Sequence, residues 1–256
     1  MSANPYESSE APADSAVPKA KPSFSIVHVL TVVAVLGMVV ALLLPLQRGG
    51  SHQAARRMQC SNHLKQIALA LQNYEDVYKC FPPAYTVDAA GKPLHSWRTL
   101  ILPFMEQQTL YDSIDLSKPW DDPANKSALE SSISIYRCPS GDAAEGKTTY
   151  LAVVAPGGCF KPTEPRMRSE IVDSPDLTLM VIEVASEHSV HWMSPKDADE
   201  ALVLSLATAD KPPHPNGALG AFLDGHVTFL RRDSKPALLR ALISIAGNDD
   251  DIAQAD

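Results

Sequence analysis

The sequence predicts an α+β protein: a long N-terminal helix, its first part in a membrane, then mainly antiparallel strands with small helices and long loops. Three observations lead there. Phe24 to Pro45 is an apolar run without a formal charge, and residues 64 to 74 repeat apolar side chains at helical spacing. From residue 148 onward the apolar runs become short, β-branched or aromatic, and bounded by Pro, Gly, Asp and Ser.

The first element is FSIVHVLTVVAVLGMVVALLLP, residues 24–45, with Ser25, His28 and Thr31 as its polar interruptions. As a helix it would be about 33 Å long, against a hydrocarbon core of about 30 Å. A buried core helix carries a polar stripe, and Val32 to Leu44 has none. A cleaved secretory signal has a shorter apolar region, a basic start and a small-residue cleavage site, so a single-pass signal anchor fits better. The expected partner of residues 24–45 is therefore the lipid bilayer.

Residues 1–23 are rich in Ser, Ala and Pro and are expected to be a disordered leader. Lys19 and Lys21 precede the span and Arg48, Arg56 and Arg57 follow it, so the positive-inside rule leaves its orientation open. The soluble domain is assigned to residues 46–247, and residues 248–256 to an acidic disordered tail. A net charge of −8 gives no broad attraction for nucleic acid, and none is expected as a partner. The 21 prolines, against 6% aromatics, point to much irregular connecting chain.

Past Gly49-Gly50, the residues Leu64, Ile67, Ala68, Leu71 and Tyr74 share one helical face, with Lys65, Gln66, Gln72 and Asn73 on the other. The membrane helix is thus expected to run on into the soluble domain, bent near Pro45 and the two glycines, and to end at Cys80-Phe81-Pro82-Pro83. Residues 96–114 read as a second helix interrupted or kinked at Pro103, and a third starts at the N-cap Asp122 with Pro123 behind it. Strands are expected at 148–155, 177–184, 188–193, 218–223 and 226–231, with short helices capped by Ser194 and Ser234.

Several motifs, in order, carry a resemblance: RRMQCSNHLKQIALALQNYEDVYKCFPPAY, SWRTLILPFMEQQTLY, PWDDP, YRCPS, and His214 followed after nine residues by Asp224-Gly225. Together they resemble the bacterial domain of unknown function 1559 family, with its prepilin-like N-terminus and processing-associated His-x9-Asp-Gly motif. The family has also been labelled solute-binding. The resemblance implies a pilin- or pseudopilin-like architecture, in which the outer half of the N-terminal helix packs on an antiparallel sheet. It also implies a cytoplasmic N-terminus and an extracytoplasmic domain at the cytoplasmic (inner) membrane. Two positions depart from the prepilin pattern: Ser23 stands where processing needs Gly, and His28 stands where pilins carry Glu. An uncleaved anchor, rather than a polymerising pilin, is the expectation.

The segment HPNGALGAFLDGHVTFL offers two histidines and an aspartate for chemistry, but Asp224-Gly225 between alternating runs is a strong hairpin signal. Both turn positions are expected at positive φ, with His214 a loop residue pinned against the turn. His188 and His191 are three apart on an expected strand, facing opposite sides, and cannot share a metal. Glu183 ends an apolar strand and is expected to be half buried or more, hydrogen-bonded to an adjacent loop. No G-x-S-x-G, P-loop or G-x-G-x-x-G follows a strand, so no enzymatic activity and no cofactor is expected. Trp97, Trp120 and Trp192, with His214, are the candidate binding residues, as a platform for a solute or glycan.

The four cysteines, Cys60, Cys80, Cys138 and Cys159, all follow the span, and their even number suits an oxidising compartment. None has C-x-x-C spacing, so a structural metal is not expected. A helix unbroken from Cys60 to Asp76 advances about 24 Å. The chain from Asp76 to Cys80 returns at most about 14 Å. The remaining gap exceeds the disulfide limit of roughly 7 Å, so these two cysteines cannot pair. Of the two connectivities left, Cys60–Cys138 with Cys80–Cys159 is preferred, because the Cys138-Pro139-Ser140 turn can dock on the helix. The expected role is structural, with envelope or secretion-system proteins as partners; a tethered solute- or glycan-binding module is the alternative, and a hydrolase using Glu183, Asp224 or His214 the third.

Overall fold

The computed structural model describes residues 25–43 and 49–247. The expected leader (1–23), the bend at Pro45 and the acidic tail fall outside these residues. The chain divides into two units, one up to Arg48 and the other from Gly49.

The described part of the first unit is helix α1, Ile26–Leu43, 18 residues. The Thr31 hydroxyl donates to the Val27 carbonyl at 3.0 Å, and the Ser25 carbonyl accepts from the His28 amide at 2.8 Å. From Ile26 to Val40 its large apolar side chains stand open, Ile26 at 77% exposure and Met38 at 69%. Among the described residues no helix is long and apolar enough to cross a membrane. The expected span of 24–45 begins and ends outside them, at Phe24 and at Leu44-Pro45.

The second unit opens with α2, Gly49–Tyr78, 30 residues long and including the two glycines expected to weaken it. Cys60, Leu64, Ile67, Ala68 and Leu71 are wholly buried along one face. Burying a single Leu or Ile contributes roughly 1.5–3 kcal/mol, so packing holds this helix far more firmly than intrinsic propensity does. It ends where Lys79 turns left-handed (φ 59), its amide still bonded to the Glu75 carbonyl at 2.7 Å.

A hairpin that the alternation pattern does not signal follows: β1, Tyr85–Val87, pairs antiparallel with β2, Pro93–Ser96. Asp88 closes its turn by accepting from the Ala90 and Lys92 amides at 2.9 and 2.8 Å. The helix expected over 96–114 is instead three pieces: α3 (Trp97–Leu100), a 3-10 turn (Leu102–Met105) and α4 (Gln108–Asp112). Pro103 is the second residue of the 3-10 turn, and Glu106 at φ 57 breaks the path outright. Asp122 caps as expected, accepting from the Ala124 amide at 2.9 Å, and after a 3-10 turn comes α5, Lys126–Leu129.

Six strands complete the unit's sheets among the described residues. A two-stranded ribbon joins β3 (Lys147–Thr148) to β6 (Val190–His191), so the strand expected over 188–193 is much shorter. The main sheet has β4 (Tyr150–Ala152), β5 (Leu179–Glu183), β7 (Gly217–Phe222) and β8 (Val227–Arg231), in the order β4-β5-β7-β8, all antiparallel. Helix α6 is Glu200–Leu204 and α7 is Pro236–Ile243. Asp199, not Ser194, caps α6, accepting from the Leu202 amide at 2.8 Å. Ser194 is buried, and its carbonyl is taken by Arg98. Lys235, not Ser234, stands at the N-cap of α7, because Pro236 is the first helical residue.

The main sheet is covered on both faces. Tyr150, Met180, Val181, Leu219 and Ala221 share a core with Leu64, Ile67 and Leu71 of α2. Leu151, Leu179, Ile182, Ala218 and Phe222 share another with Val203 of α6 and Leu242 of α7. The order is helix, sheet, helices, an α+β layering. It explains why Gly217–Phe222 is buried at every position rather than at every second one.

Candidate functional site

The most unusual chemistry lies where α2, the end of β5 and two loops meet. Glu183 is the last residue of β5, with Tyr150 directly opposite it on β4. The two side chains share a face, and it is the face turned to α2. Burial above all, and then the Glu183 charge, push the Tyr150 phenol well above its ordinary range.

His214 reaches the same point from a turn. His214 and Gly217 exchange two backbone hydrogen bonds of 3.1 Å, with Pro215 and Asn216 between them and Asn216 left-handed at φ 70. Pro second and Asn third is the preference of a type II turn, so the local sequence HPNG sets the histidine just ahead of β7. Its Nε2 lies 2.8 Å from Oε2 of Glu183, and the side chains are 2% and 1% exposed. The approach is close but not aligned as a hydrogen bond: neither Glu183 oxygen nor His214 Nε2 has a directed protein partner.

A disulfide lies alongside. Cys60 of α2 is bonded to Cys138, 78 residues away, and His63, nearly one helical turn further along α2, approaches the Arg137 carbonyl at 3.0 Å through Nδ1. The Tyr136-to-Ser140 segment thus docks on α2 as expected. The Sγ atoms of Cys60 and Cys138, a Glu183 oxygen and a His214 ring nitrogen all lie within 4.8 Å of one another, and all four residues are buried.

The second expected pairing does not form: Cys80 and Cys159 are free. Lys79 turns the chain off the helix end so that the Cys80 thiol donates back to the Tyr78 carbonyl at 3.5 Å. Cys159 is sealed in the core, where burial pushes its thiol up to about 12. Arg166 ties the two neighbourhoods together instead. Its backbone pairs with Phe81, and its guanidinium donates to the Gly158 carbonyl at 2.8 Å.

The expected turn at Asp224-Gly225 is a hairpin of a different type. Ala221 pairs with Val227, the Gly225 amide donates to the Phe222 carbonyl at 2.9 Å, and Gly225 alone has positive φ, at 91. That is a type I turn followed by a glycine bulge. Asp224 accepts from the His226 amide at 3.0 Å and meets its ring Nδ1 at 2.6 Å, both side chains over a third exposed. His214 is not pinned there. The two ends of the His-x9-Asp-Gly spacing flank the six residues of β7, about 20 Å of strand. The motif encodes turn, buried strand, turn.

The tryptophans form no platform. Trp97 and Trp192 are buried, donating to Asp197 at 3.0 Å and to the Ser131 carbonyl at 3.0 Å. Trp120, half-buried, stacks on His191 at 5.4 Å. His188 instead meets Glu187 at 3.5 Å, so the two histidines do not converge. A cleft of about 410 Å³ near the end of β5 is lined by residues including Val184, Leu202, Leu206 and Lys211, and by no tryptophan.

Residues 51–200 match the model of a protein of unknown function, DUF1559. The chain belongs to the DUF1559 family. No curated protein and no solved structure matches it. The DUF1559 match includes Cys60, Arg98, Cys138 and Glu183 and stops short of His214, so the buried pair joins a residue inside the matched stretch to one beyond it. The sequence offers Glu183, Asp224 and His214 together as hydrolase candidates; the structure brings Glu183 and His214 to 2.8 Å and leaves Asp224 with His226. An ionisable residue closing an apolar strand needs a buried partner, and that requirement was the available signal.

Proposed function

We propose that this DUF1559 chain is a single-pass, membrane-anchored, pseudopilin-like protein. Its extracytoplasmic domain has a structural or interaction role at the cell envelope or with a secretion apparatus. The observation that carries this reading is α1, whose 18 residues hold no charge and whose Ile, Leu, Val and Met side chains from Ile26 to Val40 stand open. Open apolar area on this scale requires a cover, and a bilayer supplies one to every face of a helix at once.

Two further features support it. The packing of α2 on an antiparallel sheet suits the pseudopilin plan. The Cys60–Cys138 disulfide suits an oxidising compartment outside the cytoplasm. Without an aromatic wall, the cleft near β5 favours no solute- or glycan-binding alternative. Ser23 and His28 favour an anchor that keeps its leader.

Membrane fractionation of the full-length chain tests the reading. The protein should stay with membranes through alkaline carbonate washing and come off in detergent, and N-terminal sequencing should find a chain that starts before Phe24. Recovery in the aqueous fraction without detergent, or a mature chain starting at Phe24, would overturn it.

A further inference from the structure

The geometry points to a second state of the Cys60–Cys138 disulfide: once reduced, Cys60, Cys138, Glu183 and His214 form a four-ligand site for a zinc-class divalent cation. Two thiolates, one imidazole and one carboxylate are the donor set that a borderline-soft, tetrahedral ion takes, whereas magnesium and calcium require oxygen.

The distances suit such an ion. In a tetrahedral zinc site with bonds of about 2.0–2.3 Å, neighbouring donor atoms lie roughly 3.3–3.8 Å apart. The four donor atoms here already fall within 4.8 Å. Breaking the sulfur–sulfur bond lets the two sulfurs separate to the upper end of that range, and the widest pair needs to close by only about 1 Å.

A second, independent observation concerns the oxygen and nitrogen donors. Both Glu183 oxygens and His214 Nε2 are buried without a directed hydrogen-bond partner, at 1% and 2% side-chain exposure. Buried polar atoms normally find partners, and those that do not invite an explanation such as an ion. Access is short: a cleft of about 110 Å³, lined by Gln53, Arg56, Ser140, Pro213 and Pro215, opens on His214.

The chemistry balances with a dithiol reductant. One of its thiolates attacks a cysteine sulfur, the protein disulfide breaks, and a mixed disulfide forms. The reductant's second thiol displaces the remaining protein thiol and leaves as a cyclic disulfide, having given two electrons. The cation then takes both cysteine sulfurs as thiolates and releases two protons. Oxidation reverses the sequence and expels the ion, so metal and disulfide exclude each other.

The test uses the full chain in detergent, with Co²⁺ as a spectroscopic stand-in for Zn²⁺. The protein is either left oxidised or reduced with a phosphine and desalted. Reduced protein should bind one Co²⁺ per chain, with thiolate-to-cobalt charge transfer and the visible bands of a tetrahedral site; oxidised protein should show neither. Glu183→Gln and His214→Gln should each weaken binding at least about 100-fold, above the range that outer-shell losses cost. Cys80→Ser should bind like the wild type. Near-UV circular dichroism covers the case in which reduction loosens the fold: Co²⁺ restoring the native spectrum supports the site, and failure to restore it overturns the proposal. Absence of the charge-transfer band in reduced protein overturns it, as does binding unchanged in both the Glu183 and His214 variants.

Discussion

Arg98 Nη1 and Asp197 Oδ1 lie 2.6 Å apart with both side chains sealed from solvent. The same carboxylate oxygen accepts from Trp97 Nε1 at 3.0 Å and from the Ala152 amide at 2.8 Å. The remaining Arg98 donors go to the carbonyls of Tyr150, Trp192, Ser194 and Lys196. One side chain thus ties α3 to β4 and to the whole 192–197 loop. Removing either partner leaves an uncompensated charge indoors, so Arg98→Met or Asp197→Ala should each cost about 3–5 kcal/mol. Arg98→Lys should rescue little, because an ammonium lacks the planar fork. Urea unfolding measures both.

The Glu183–His214 pair predicts a different pattern. His214→Leu alone strands a buried carboxylate and should destabilise the domain by about 3–5 kcal/mol. The double variant Glu183→Leu/His214→Leu should be more stable than that single one, because nothing charged remains to be satisfied. A double-mutant cycle by thermal unfolding reads the coupling, and simple additivity would argue against the pair.

The hairpin after β7 depends on Gly225. Its φ of 91 is open to glycine, and an added Cβ would lie 3.1 Å from the Gln72 amide nitrogen. That same amide donates to the Leu223 carbonyl at 3.0 Å, fastening α2 to the turn. Gly225→Val should cost about 1–3 kcal/mol through backbone strain, with added loss where Gln72 is displaced. Gly225→Asn should be milder, since Asn tolerates left-handed backbone. Chemical denaturation of the two variants gives the order.

The cysteines separate by reactivity. Under native, non-reducing conditions an alkylating reagent should label Cys80 alone, since Cys159 is buried with its thiol held up at about 12. Replacing both Cys60 and Cys138 by Ser should cost up to about 4.5 kcal/mol of chain-entropy stabilisation for a loop this long. Mass mapping after labelling, then thermal unfolding, checks each.

Acid stability should show the mark of Glu170. Lys161 at 2.7 Å and Arg166 at 2.8 Å, with the Met167 amide at 2.9 Å, hold its carboxyl down to about 2 from an ordinary 4.5. A folded pKa below the unfolded one means the contribution is present above about 4.5 and is lost as pH falls through about 2. Glu170→Gln should therefore flatten the stability curve across that window and leave its shape near neutrality unchanged. Stability measured at a series of acid pH values tests the slope.

Legibility in the sequence followed interaction range. The buried face of α2 was plain, since Leu64, Ile67, Ala68 and Leu71 repeat at helical spacing and all become core. Asp122 was plain as a cap, because an N-cap contacts an amide two residues on. Ser194 and Ser234 were poor guides, because competing neighbours, Asp199 and Pro236, set the true helix starts. The helix across 96–114, expected to be interrupted at Pro103, ends its first piece at Leu100, and beyond Pro103 Glu106 adopts a left-handed backbone that no local preference announces.

By itself the sequence determined the α+β class, the uncharged apolar run before the domain, the packed face of α2 and the turn-forming character of HPNG and Asp224-Gly225. Each follows from periodicity or from the backbone preferences of one or two residues, which act over a few positions. Only the tertiary structure decided that Glu183 meets His214, that Cys60 bonds Cys138 while Cys80 and Cys159 stay apart, and that Arg98 gathers a loop nearly a hundred residues away. Those contacts depend on the way the sheet, α2 and the loops close on one another, and no local spacing in the chain carries that information.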